Sequence, residues 1–230
     1  YAREDIVHPD GATGVIYEAG EQVATLTTDK NGQASVDGLY LGDYYVKEIS
    51  PSVGYLADET EHDLVCNYEG DLVAEVKRDC TSLEQVMKQP FQIIKAANNG
   101  KTDADLLKGA GFTAYLESSL TKKADGNYEF ASATPVVIGE NGATEMFTDE
   151  KGYACSIALP YGTYIVRETT TPHNYTPVDD FTVRITENNP NQPQTWRVLL
   201  DDEFEAKLKI IKQDDETKKA VLQKNTEFKI

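Results

Sequence analysis

The chain repeats itself, and that repeat limits what it can fold into more than any other feature. Residues 28–55 align with residues 148–175 without a gap, 120 positions apart. The shared positions are Thr28/Thr148, Asp29/Asp149, Gly32/Gly152, Ala34/Ala154, Leu39/Leu159, Gly42/Gly162, Tyr44/Tyr164, Val46/Val166, Glu48/Glu168 and Tyr55/Tyr175. Gly and Asp fall where turns need them, and Tyr and Val alternate, so one β structure is built twice. A second repeat is out of phase with the first. Ile93-Ile94-Lys95 matches Ile210-Ile211-Lys212, and Phe112 matches Phe228 across a short gap.

The phase divides the 230 residues unequally. Residues 90–205 read as a complete unit, opened by an Ile-Ile-Lys strand. Residues 1–89 read as a unit lacking its first strands, and residues 206–230 as the opening strands of a third. Alternating apolar and polar runs between turn signals predict strands at 22–27, 34–36, 43–49, 62–67 and 72–78. The second unit should place them at 91–96, 111–116, 143–147, 154–158, 163–169, 180–186 and 195–200. Turns are expected at residues 30–32 and 68–71, and strand with linker at 82–88. This spacing predicts an all-β chain of tandem antiparallel sandwiches.

Charge excludes several functions. With 22 Lys and Arg against 39 Asp and Glu, the formal net charge is -17. Such a surface repels phosphate backbones and anionic lipid, so no nucleic acid and no membrane insertion is expected. Cys66, Cys80 and Cys155 are odd in number and fit no metal spacing, which predicts small buried or half-buried thiols. His8, His62 and His173 are scattered in polar stretches, and no metal or cofactor is expected. Asp29-Lys30-Asn31-Gly32 resembles part of a calcium loop but lacks the later acidic ligands, so it reads as a hairpin turn. Residues 213–216 read as a solvated acidic loop. No nucleophile–base order or phosphate loop is present, and the chain is not read as an enzyme acting on others.

The motifs resemble Cna B-type domains, the repeat modules of Gram-positive surface adhesins and SpaA-like pilins. They are the first-strand lysine in Phe91-Gln92-Ile93-Ile94-Lys95, the Thr148–Gly152 turn, and Tyr164-Ile165-Val166-Arg167-Glu168 followed by Pro172 and Tyr175. The first unit repeats the late motif as Tyr44 to Glu48, Pro51, Gly54 and Tyr55. The resemblance implies an immunoglobulin- or transthyretin-like sandwich. It also implies an intramolecular isopeptide bond between a first-strand Lys and a last-strand Asn or Asp, promoted by a buried Glu. Carried over, Lys95 is the nucleophile, Glu168 the promoting acid and Asp201 the partner, with Asp202 its neighbouring alternative. In the first unit Glu48 matches the acid. The step of eleven residues from the partner to the next Lys falls on Glu84 there, and Asp79 is an out-of-step alternative. The matching lysine is Lys212 or an equivalent upstream.

The expected function is a structural, extracellular stalk or pilin-type protein of a Gram-positive cell surface. The expected partners are copies of itself or further repeats. Residues 206–230 are expected to complete a 1–89 unit by strand addition, in a neighbouring chain, unless the chain is cut from a longer array. The alternative is an adhesin module for a host matrix protein or glycan.

Overall fold

The computed structural model describes residues 1–101 and 105–229. Among these residues there are seventeen strands and two short 3-10 turns, and no α-helix. No helix is long and apolar enough to cross a membrane.

The second unit is a sandwich of two sheets. One has the order Glu145–Phe147, Gly111–Leu116, Gly162–Thr170, Phe181–Ile185, all antiparallel. The other has Gln92–Ala97 between Tyr153–Cys155 and Arg197–Asp201. Side chains alternate between the faces of a strand. Phe91, Ile93, Phe112, Ala114, Tyr164, Val166, Val183 and Ile185 thus point inward and form one buried core. One pairing departs from the antiparallel pattern. Arg197–Asp201 runs parallel to Gln92–Ala97, with Leu199 opposite Lys95. Parallel pairing needs a long crossover, and nearly all of the unit lies between these two strands.

Residues 1–89 repeat the local features of the second unit at its spacing. The Tyr44 hydroxyl donates to the Tyr40 carbonyl at 2.6 Å, as Tyr164 donates to Pro160 at 2.8 Å. The Asp29 carboxylate accepts from the amides of Asn31 and Gln33, as Asp149 accepts from those of Lys151 and Tyr153. These backbone bonds are the main reason both carboxyls titrate below the usual range. The Asp29 carboxylate is thus spent on closing a turn.

Three expected strands do not form. Residues 22–27, 34–36 and 72–78 belong to no strand. Their counterparts in the second unit are Glu145–Phe147, Tyr153–Cys155 and Arg197–Asp201. The first pairs with Gly111–Leu116, and the other two with Gln92–Ala97. Residues 1–89 contain no equivalent of Gln92–Ala97 and only the end of a Gly111–Leu116 counterpart, where Ala2 bridges to Tyr44, and a strand without a ladder is marginal in water. What forms is the Gly42–Val46 and His62–Cys66 pair, a small Ile6–Val7 and Val15–Tyr17 ribbon, and a core of Ala2, Ile6 and Tyr44. The expected opening strands in 206–230 are also unpaired among the described residues. Only an isolated bridge joins Gln213 to Ala220, and Leu208, Ile210, Ile211 and Phe228 stand exposed. Such strands have apolar faces to cover only when the rest of a unit is present.

Protection should follow this division. In native-state hydrogen exchange, amides of Gln92–Ala97 and Gly162–Thr170 should be the slowest. In the unassembled chain those of residues 22–27, 72–78 and 206–229 should exchange near the unprotected rate.

Candidate functional site

The Gln92–Ala97 strand is buried along nearly its whole length because it lies in the middle of its sheet. Lys95 shares the inward face with Phe91 and Ile93, so its position directs its side chain into the core. It is fully buried. Glu168 comes in on the Gly162–Thr170 strand, two residues after Val166 and opposite Phe112. Asp201 ends the parallel Arg197–Asp201 strand, while Trp196, Val198 and Leu200 of that segment face outward. Three strands from two sheets thus bring Lys95, Glu168 and Asp201 to one point.

The Lys95 ammonium donates to Glu168 Oε2 at 2.7 Å and to Asp201 Oδ1, and all three side chains are wholly inaccessible to solvent. Glu168 Oε2 also accepts from the backbone amide of Val178 at 3.0 Å, which helps hold the carboxyl in place. Lys95 Nζ lies 5.6 Å from the centroid of the Phe112 ring. Glu168 Oε1 and Asp201 Oδ2 are buried without a partner. Burial pushes the Asp201 carboxyl up to about 6; Lys95 opposes the shift and the neighbouring Glu168 carboxyl adds to it. A buried cluster of one amine and two carboxyls is neutral overall only if one carboxyl keeps a proton.

Strand alternation places Asp201 and Asp202 differently. Asp201 faces Lys95, while Asp202 is exposed and accepts from the Asn98 side chain at 2.7 Å. Two supporting residues escape a reading of motifs. Gly152 looks like a turn residue, yet its carbonyl accepts from the Lys95 amide at 2.7 Å. Its φ is +63°, and a Cβ there would lie 2.3 Å from the Lys95 carbonyl oxygen. The second is Val178, whose part is played by its backbone. Its signal lies in the repeat, because Glu48 Oε2 accepts from the amide of Asp58, 120 residues earlier, at 2.6 Å.

A family comparison bears on this arrangement. The SpaA family, described as a prealbumin-like fold domain, matches residues 9–79 and 90–197. The chain belongs to the SpaA family. Among solved structures it is similar to the Bacillus anthracis TIE protein, at 26% identity and a TM-score of 0.48. That match covers 77% of this chain and 28% of the other, so the chain spans under a third of that protein. It is also similar to GBS52, the minor pilin of Streptococcus agalactiae. Identity there is 16% and the TM-score 0.42, covering 81% of this chain and 71% of that one. The shaft pilin SpaA of Lactobacillus rhamnosus GG is similar at 18% identity and a TM-score of 0.35, covering 85% and 74%. No curated protein matches.

The first SpaA unit holds only part of such a site. Glu48 is half-buried and bonded as Glu168 is. Glu84 instead accepts from the Ser52 hydroxyl at 3.4 Å, and Asp79 is exposed. Lys212 donates to the Thr226 hydroxyl at 2.6 Å and is not brought to Glu48, Glu84 or Asp79 within the chain. Cys66 and Cys155 are half-buried, and Cys80 is exposed rather than packed. Among the described residues no cluster of His, Cys, Asp and Glu could hold a metal.

Replacing Lys95 by Ala leaves two carboxyls facing each other in the core and should cost about 3–5 kcal/mol, read by urea unfolding. In the ion-paired state Asp201 binds a proton more tightly folded than unfolded. Its contribution to stability therefore falls as pH rises from about 4 to about 6 and is flat above. Unfolding midpoints of ion-paired protein across pH 4–8 check the sign.

Proposed function

We propose that this chain is a structural module of an extracellular stalk or pilus on a Gram-positive cell. In this reading its complete unit is locked by an isopeptide bond between Lys95 and Asp201. The observation that carries the reading is the fully buried contact of Lys95 with both Glu168 and Asp201. An ion pair held out of water contributes little net stability for what its burial costs. An amine held against a carboxyl, with an acid beside both, is arranged for condensation.

The step balances within the triad. Transfer of the Lys95 proton to the ionised carboxylate gives a neutral amine and two neutral acids, with no change in net charge. Lys95 Nζ attacks Asp201 Cγ, and Glu168 polarises the carbonyl and relays protons. The C–N bond forms, the C–O bond breaks, and the Asp201 oxygen leaves as water. The strands hold the reactants together, so the reaction is unimolecular. The chain needs no cofactor for it and acts only on itself.

The same reading extends to the first unit. The place that Gln92–Ala97 holds in the second unit is taken in the first by a lysine-bearing strand of the 208–213 kind from another copy or repeat. Lys212 then meets Glu48, with Asp79 or Glu84 as its acyl partner. This continues the fibre head to tail. A second reading, an adhesin module for a host matrix protein or glycan, draws on one surface feature. Trp196 and Tyr153 lie 5.7 Å apart beside Ile94 and Leu106 in an open apolar depression.

Intact mass under denaturing conditions tests the bond. The expected value is about 18 Da below that of the sequence, one water for one bond. Glu168→Ala should restore the full mass. An unreduced mass in the native chain leaves only the ion pair.

A further inference from the structure

The segment between the two units is hydrogen-bonded to both. Gln85–Val86 pairs with Tyr55–Leu56 of the first unit, and Lys88–Gln89 pairs with Leu159–Pro160 of the second. Met87, between them, donates its amide to the Gly54 carbonyl at 2.8 Å and accepts from the Tyr161 amide at 2.8 Å. The 188–194 loop closes the other side. Asn188 Oδ1 accepts from the Lys88 amide at 3.0 Å, and the Pro90 carbonyl accepts from the Gln194 amide at 3.0 Å. Linkers that let domains swing are free of such bonds.

The units also touch directly. Gly54 has φ +88°, and a Cβ on it would lie 2.3 Å from Cδ1 of Tyr161. The loop of the first unit therefore lies against the Tyr161 ring of the second with no room for a side chain. The second unit repeats the backbone of this loop at its own far end. Asn174, 120 residues after Gly54, is also left-handed, at φ +70°. Its carbonyl accepts from the Phe204 amide at 2.9 Å, as that of Gly54 accepts from Met87. Tyr175 bridges to Glu203 as Tyr55 pairs with Val86. Phe204, in the place of Met87, is 68% exposed.

We propose that Gly54 and Met87 form a socket that clamps Tyr161 and fixes the two units as one rigid body. The face made by Asn174 and Phe204 repeats the backbone of this socket, with the Asn174 side chain where Gly54 has none. The inference deepens the stalk reading and rests on it for its purpose. The geometry is independent of whether the isopeptide bond forms. A stalk of flexibly tethered units coils and shortens, whereas a clamped one keeps its reach.

Residual dipolar couplings on the full chain test the socket. A single alignment tensor should fit the amides of both units. Gly54→Asn should make each unit require its own tensor. Asn tolerates the left-handed backbone, as Asn174 does, but its side chain meets the Tyr161 ring. Unchanged core shifts show that both units remain folded. Two tensors in the native chain, or one in the variant, overturn the proposal. The mass deficit of about 18 Da is read separately in the native chain and in the variant. Its absence counts against the bond and leaves the socket standing.

Discussion

The burial of one amine organises the complete unit. Lys95 occupies a core position on the central strand of its sheet, between residues that are wholly apolar. A lone ammonium there would be prohibitively costly, so its environment must bring opposite charge. Glu168 arrives from the facing sheet and Asp201 from the neighbouring strand. The demand spreads outward. Glu168 is anchored by the Val178 amide, and the Lys95 backbone is gripped by Gly152, where a side chain would collide. The parallel register of Arg197–Asp201 sets the third member, because a slip by one residue would turn Asp201 outward and bring Asp202 in.

The strand that carries this lysine is also the one that makes the sandwich close. The chain holds its own comparison. Residues 1–89 repeat the turn at Asp29, the tyrosine bond at Tyr44 and the acid at Glu48, each with its backbone partner. They have no strand equivalent to Gln92–Ala97. Residues 34–36 and 72–78 are then left without ladders, as residues 22–27 are for want of a full Gly111–Leu116 counterpart, and the core shrinks to a few side chains around Tyr44. Local features survive the loss because their bonds are local. The sheets do not, because each needs a partner from far along the chain.

The same distinction explains what could be read from residues alone. Turns, the alternation in Gly162–Thr170 and the inward placement of Lys95 and Glu168 were legible, because spacing and repetition within one segment encode them. The strands expected at 22–27, 34–36 and 72–78 had the right alternation and failed for want of partners that no local pattern reports. The step to the next lysine favoured Asp201 over its neighbour Asp202, and the register turns Asp201 inward and Asp202 out. Gly152 was legible as a turn, yet its contact with Lys95 joins residues 57 apart in sequence. The parallel direction of the last strand carries no signature of its own.

Topology also decides how such a unit would bear load. The chain enters it at Lys88–Gln89, just before the lysine strand, and leaves at Asp202, just after the aspartate strand. The two strands are parallel neighbours, so pulling on the chain draws them past each other in shear. Hydrogen bonds resist shear together but break once the register slips. A covalent link from Lys95 to Asp201 would carry tension from the incoming strand directly to the outgoing one, leaving residues 96–200 outside the load path. The core, the other sheet and the loops would then serve to build and shelter the link rather than to bear the force. This accounts for a unit in which the entire fold between two adjacent strands converges on three side chains.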